Sequence, residues 1–268
     1  MDKKFIDIRG LIESKNPKLL RWLPRFVINY LRRVLHEEEI NHFIKTNEDN
    51  MGADFCDAIV NYFNIHIEIE GIENIPKDGP VILAMNHPLG GMDAIGFVTA
   101  VRHHRKDLKF IVNDILMNLK NLRELFIGVN KHGKNDLSIR DQIKNAFRSE
   151  HAICIFPAGL VSRKIDGKVQ DLNWKKTFVT YGRELNRVIV PIQVTGELTP
   201  FFYRVSKFRN FLRIKANIEM FWLSDELFKQ RNKRIKFKVG KPIVCSELDP
   251  KLNDTKAAAF IRKIVHEL

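Results

Sequence analysis

Residues 81–101, VILAMNHPLGGMDAIGFVTAV, read as a strand, a tight turn and a helix. Val81–Asn86 opens with a continuous apolar run, the pattern of a strand covered on both faces in a mostly parallel sheet. Pro88, Gly90 and Gly91 supply turn chemistry, and apolar residues at helical spacing follow over about 94–105. Further strands are expected at Phe63–Glu70, Leu108–Val112, Phe126–Val129, Ala152–Phe156, Val188–Val194, Asn217–Leu223 and Ile235–Val239. Helical segments are expected between them at about 115–124, 136–150, 171–186 and 225–232. Alternation of this kind predicts an α/β fold, a mostly parallel or mixed central sheet covered by helices. In such folds ligands sit beyond the carboxyl ends of strands, so the residues after each strand are the ones to inspect.

The first fifty residues read differently. In residues 17–35 Leu19, Leu20, Leu23, Phe26, Val27, Tyr30, Leu31 and Val34 recur at helical spacing, with Lys18, Arg21, Arg25, Arg32 and Arg33 largely between them. Pro24 is expected to kink or divide this helix. The segment is either a basic amphipathic helix lying on an anionic membrane, with Trp22 near the headgroups, or an ordinary helix packed on the core. The expected organisation is a basic amphipathic helical segment over 1–50 and an α/β domain over 51–268.

Composition narrows the function classes. The chain has 268 residues, 44% of them apolar and 29% charged, the balance of a folded globular chain. Its formal charge of +13 suits nucleic acid, anionic lipid or an acidic substrate. Cys56, Cys154 and Cys245 lie far apart, which implies no disulfide framework or zinc ribbon and suits a reducing cytosol. The start, MDKKFIDIRG, has no apolar signal region, and the longest apolar stretch, Ala152–Val161, is far short of a bilayer span. No nucleic-acid reader module is recognisable, and the aromatics do not interleave with the basics as a stacking platform requires.

Three strand ends carry chemistry. After VILAM come Asn86 and His87, with Asp93 beyond the turn. A histidine at a strand end with a nearby carboxylate makes a general base and its orienting partner; equally, His87 can end a strand and Asp93 cap the next helix. After AICIF come Phe156-Pro157-Ala158-Gly159-Leu160-Val161-Ser162-Arg163-Lys164, where a hydroxyl and two cations are suited to hold a phosphate, or form a solvated surface turn. Gly128–Asn135 matches G-x-x-x-x-G-K, but Asn135 stands where a nucleotide-binding loop needs Ser or Thr for magnesium. No G-x-S-x-G occurs, which argues against an α/β-hydrolase.

Taken in order, NHPLGGMD, GVNKHGKN, FPAGLVSR and VIVPI resemble the blocks of the glycerolipid acyltransferase superfamily, the lysophosphatidic-acid acyltransferase-like enzymes. The likeness is greatest to a bacterial branch with hemolysin-like and ornithine-lipid-type acyltransferases. The blocks span residues 86–192. The resemblance implies a glycerolipid acyltransferase-like fold with His87 as general base and Asp93 as its orienter. Asn86, Asn130, Lys131, Lys134, Phe156, Pro157, Gly159, Ser162 and Arg163 would line the substrate site, and no metal or cofactor is implied. The reaction would move a fatty acyl group from acyl carrier protein or acyl-CoA to a hydroxyl of lysophosphatidic acid or a lyso-aminolipid, with no covalent enzyme intermediate. Implied partners are the lyso-lipid, the thioester carrier and an anionic membrane surface, not nucleic acid. The implied location is peripheral, on the cytoplasmic face of the inner membrane. The context favours the membrane reading of residues 17–35. Phe201, Phe202, Tyr203, Phe208 and Phe211, with Arg204, Lys207, Arg209 and Arg213, are expected to form a packed amphipathic helix or to extend the membrane face.

Two departures from the family pattern stand out. Five residues separate His87 from Asp93 where four are usual, so Gly90-Gly91 must absorb one more. Ala158 replaces a glutamate associated with acceptor binding, which points either to an altered acceptor or to a catalytically silent, anionic-lipid-binding protein on the same fold.

Overall fold

The described residues form ten strands: β1 (His66–Glu70), β2 (Val81–Met85), β3 (Leu108–Asn113), β4 (Phe126–Val129), β5 (Ala152–Ile155), β6 (Arg163–Ile165), β7 (Lys168–Gln170), β8 (Val188–Val194), β9 (Arg234–Val239) and β10 (Ile243–Val244). The computed structural model describes residues 4–113, 116–129, 136–249 and 251–268. Chain contacts define two units: Met1–Asn50 with Thr199–Gln230, and Met51–Leu198 with Arg231–Leu268.

The second unit carries the central sheet, ordered β1-β9-β8-β2-β5-β3-β4, with β10 on β8. Strands β8, β2, β5, β3 and β4 run parallel, whereas β9 and β10 are antiparallel to β8 and β1 is parallel to β9. The sheet is therefore mixed. All five residues of β2 are buried, as the continuous apolar run predicts for a strand covered on both faces. One face packs Ile82, Ala84, Ile153 and Ile189 against Phe147, Trp174, Phe178 and the Ala257, Ala258, Ile261 and Val265 stripe of the Asp254–Glu267 helix. The Gly91–Val101 helix follows β2, and its Phe97 meets Phe237 of β9 at 5.6 Å between ring centroids. In register, Ala84 pairs with Ile155 on β5 and Pro191 on β8. The chain therefore leaves β2, β5 and β8 side by side at one end of the sheet.

The first unit is helical among its described residues, with helices at Ile8–Lys15, Pro17–Trp22, Arg25–Val34, Glu37–Thr46, Pro200–Phe211 and Leu223–Phe228. Pro24 separates two of them as its chemistry predicts. The His36 ring stacks on Phe228 at 3.7 Å and bonds Asp225 at 3.1 Å, and the Trp222 indole donates to the Tyr30 hydroxyl at 3.1 Å. These contacts join the two stretches of chain that make the unit.

Several expected boundaries shift. Asn217–Leu223, expected as a strand, is a 3₁₀ turn over Ile218–Trp222 that runs into a helix. Its residues are held by side-chain anchors, the buried Glu219 ion-paired to Arg209 at 2.9 Å and Trp222 on Tyr30, and not by a ladder; a short apolar run does not by itself distinguish strand from helix. The helix expected from residue 171 begins at Thr177 because Asp171 and Trp174 are drawn into side-chain bonds. Leu116–Asn118 and Lys120–Leu125 form 3₁₀ turns. The β6–β7 hairpin and the helices Gly52–Tyr62 and Asp254–Glu267 were not anticipated.

Candidate active site

Asp93 stands in the first turn of the Gly91–Val101 helix, where the backbone dipole favours a carboxylate. The chain reverses into that helix at Gly90, with φ 68° and ψ −134°, a conformation open chiefly to glycine. His87 Nδ1 lies 2.9 Å from Asp93 Oδ2, and the Leu89 N–H donates to both Asp93 oxygens at 3.2 and 3.0 Å. Asp93 is fully buried, while the His87 side chain keeps 18% exposure. Burial is the chief cause that raises the Asp93 pKa above the usual carboxylate range, and the nearby Asp171 charge adds to it. The hydrogen bond and charge of His87 and the Leu89 N–H oppose that rise.

With its Nδ1–H donated to the carboxylate, the imidazole is left with its basic lone pair on Nε2. The Phe156 ring, from the residue after β5, stacks on the imidazole at 4.1 Å between centroids and 23° between planes. The arrangement is an imidazole held by a buried carboxylate on an aromatic wall at the carboxyl end of β2, a geometry able to serve as a general base.

The other expected site residues divide by position. Asn86 is nearly buried; its amide donates to the Val194 carbonyl at 2.8 Å and accepts the Val194 N–H at 2.6 Å. It continues the β2–β8 pairing one step past Met85 and clasps the strand that delivers His87. Ser162 is fully buried, with its hydroxyl on Asp171 at 2.5 Å and its N–H on the His87 carbonyl at 2.7 Å. The buried Arg163 guanidinium donates to the carbonyls of Val161 and Ser162. Phe156, Pro157 and Gly159 form a turn in which the Gly159 N–H bonds the Phe156 carbonyl at 2.9 Å, with Gly159 at φ 70°. Ala158 belongs to the apolar cluster with Trp174 and Phe178, a place that would leave a carboxylate unsolvated. Asn130, Lys131 and Lys134 lie outside the described residues.

Asp171, which accepts the His87 N–H, and Trp174, Arg262 and His266, which bond to Asp171, are not singled out by the sequence reading. A signal for the first was present. Asp166-Gly167 takes φ 49° and 80°, the two-residue hairpin turn that Asp-Gly favours. The β6–β7 register, Arg163 with Gln170, then sets Asp171 opposite Ser162.

Comparison with known proteins identifies the family. The family model for acyltransferases matches residues 9–268. The chain is 38% identical over 265 residues to a lyso-glycine lipid O-acyltransferase of Bacteroides thetaiotaomicron, covering 98% of this chain and 97% of the relative. It is 37% identical to a protein of the same name from Phocaeicola vulgatus, covering 98% and 95%. The crystal structure of a 1-acyl-sn-glycerophosphate acyltransferase from Thermotoga maritima shares the fold at a TM-score of 0.50 and 18% identity, covering 96% of this chain and 89% of that one. The chain belongs to the acyltransferase family, within the glycerolipid acyltransferase superfamily, and is an acyltransferase.

Proposed function

We propose that this acyltransferase O-acylates a lyso-lipid, taking the acyl group from an acyl carrier protein or coenzyme A thioester. His87 Nε2 takes the proton of the acceptor hydroxyl while the oxygen attacks the thioester carbonyl. The C–S bond then breaks, and the imidazolium returns the proton to the leaving thiolate. Asp93 holds the tautomer and stabilises the imidazolium. No metal or cofactor enters this scheme. The observation that carries it is the 2.9 Å bond between His87 Nδ1 and the buried Asp93.

A lyso-aminolipid is the favoured acceptor. The relatives that match nearly end to end carry the name lyso-glycine lipid O-acyltransferase, and Ala158 replaces an acidic group with a methyl packed in apolar surroundings. Phe156, Pro157, Gly159 and Arg163, with Asn130, Lys131 and Lys134, are the proposed substrate contacts, whereas the bonds of Asn86 and Ser162 suit positioning.

The lyso-lipid must be drawn from a bilayer, and the first unit has suitable surfaces. Trp22 is 87% and Phe26 73% exposed, among Lys18, Arg21 and Arg25. In residues 200–215, Phe208 and Phe211 are 59% and 81% exposed, with five cations and no carboxylate in that stretch. Exposed aromatics among cations suit the interface of an anionic membrane, and we place the enzyme peripherally on the cytoplasmic face of the inner membrane. Among the described residues no helix is long and apolar enough to cross a membrane.

The test is acyl transfer to a panel of lyso-lipids by wild type and His87→Ala, with folding followed by circular dichroism. Loss of transfer in a folded variant is expected, and undiminished transfer sinks the mechanism. Sedimentation with anionic lipid and no thioester consumption by wild type would favour a silent lipid-binding protein.

A further inference from the structure

The hairpin that follows the Phe156 turn returns a carboxylate to the base. Asp171 is fully buried, and three donors converge on it. The His87 backbone N–H reaches Oδ1 at 3.1 Å, the Ser162 hydroxyl reaches the same oxygen at 2.5 Å, and the Trp174 indole N–H reaches Oδ2 at 2.8 Å. Ser162 closes the circuit by donating its own N–H to the His87 carbonyl at 2.7 Å. Both backbone polar groups of His87 are thus held by the Ser162–Asp171 pair, just beyond the β2–β8 ladder that ends at Met85 and Ile192. A buried backbone group past the end of a ladder needs such partners.

Asp171 is fastened in turn by the C-terminal helix. The Arg262 guanidinium donates to its carbonyl, and its N–H points to His266 Nε2 at 3.4 Å. This anchoring lets the hairpin end act as a fixed support.

We propose that Asp171 is a positioning residue of the acyltransferase. Together with Ser162 it clamps the His87 backbone, so that the ring oriented by Asp93 meets the acceptor hydroxyl at a constant angle. This rests on the reading of His87 as general base. All three partners on Asp171 are donors, and a carboxylate offers them acceptors on both oxygens where an amide offers one. An asparagine that keeps its oxygen toward His87 and Ser162 must set its NH₂ against the Trp174 N–H. Displacing a reacting group by about 1 Å can cost about a hundredfold in rate.

The experiment is steady-state acyl transfer with the full chain as wild type, Asp171→Asn, Trp174→Phe and the Asp171→Asn/Trp174→Phe double variant, with melting curves for each. Asp171→Asn is expected to lower kcat by about thirty- to a hundredfold, with KM changed less than about threefold. The double variant, freed of the clash between donors, is expected to regain about tenfold over the single variant. A merely structural role predicts the opposite, a double variant no better than the single one and losses that track melting temperature. That result, or a folded Asp171→Asn with wild-type kcat, overturns the proposal. If Asp171→Asn fails to fold, Ser162→Ala carries the test. It removes the hydroxyl that ties the two halves of the clamp together, so a several-fold fall in kcat at constant KM supports the proposal and an unchanged kcat overturns it. His87→Ala is assayed alongside; transfer equal to wild type in that variant discards the base assignment itself, a failure separate from that of the clamp.

Discussion

His87 and Asp93 meet at 2.9 Å across a turn that carries five intervening residues, and the reversal that makes this possible is at Gly90. The ring nitrogen and the carboxylate are not neighbours on a helix face. One ends a strand and the other begins a helix, so their distance depends on the backbone between them.

In the proposed mechanism, replacing Asp93 with Asn removes the charge that stabilises the imidazolium and permits the wrong tautomer. The expected result is a fall in kcat by about two to four orders of magnitude with a small change in acceptor KM. Initial rates over a range of acceptor concentrations measure it, and a loss below tenfold would show that Asp93 does not orient the base.

The same variant has a pH signature in stability. The folded-state pKa of Asp93 is raised above the ordinary 3.8, chiefly by burial, so the native state holds the proton more tightly than the unfolded chain. Wild type therefore loses stability as pH rises from 3.8 through the raised value, and the loss is complete above it. Asp93→Asn lacks this term. Plotted against pH, the melting temperature of the variant minus that of wild type should climb across that window and then flatten. A difference independent of pH would contradict the burial argument.

Gly90→Ala tests the turn. At φ 68° and ψ −134° a Cβ is strained, at a cost of about 1–3 kcal/mol. Urea melts should show that loss, and kcat should fall because relief of the strain moves His87 away from Asp93. An alanine variant with native stability and activity would mean that the turn tolerates a different path.

Phe208→Ser with Phe211→Ser tests the surface of the Pro200–Phe211 helix. Inserting an aromatic ring contributes on the order of 1.5–3 kcal/mol when it is fully buried, so the double variant should bind phosphatidylglycerol-containing vesicles about tenfold or more weakly. Raising salt should weaken wild type as well, through screening of the cations. Cosedimentation unaffected by both changes would exclude this surface from membrane contact.

Much of this protein could be read locally. The apolar runs of β2, β5 and β8 announce buried strands because a strand covered on both faces has no polar side to show. Pro24 divides its helix by removing a donor, and the Asn86–Asp93 stretch shows a histidine and a carboxylate on either side of a turn, which the family resemblance reads as a dyad. The run at 217–223 was misread because its conformation depends on Arg209 and Tyr30, which hold Glu219 and Trp222 from elsewhere in the chain. The Asp166-Gly167 turn is legible in the sequence, though the turn alone does not say what its hairpin returns to.

By itself, then, the sequence determined the α/β alternation, the basic helical start and the presence of a histidine and a carboxylate at the end of a buried strand, since periodicity and turn chemistry act over a few neighbouring residues. Tertiary structure alone decided that Gly90 brings Asp93 onto His87. It also committed Asn86 and Ser162 to holding the backbone, and brought Asp171 to His87 from 84 positions away. Such contacts exist only once parallel strands have been set side by side. The order in which strands pair is a property of the packed sheet, and no short stretch of chain records it.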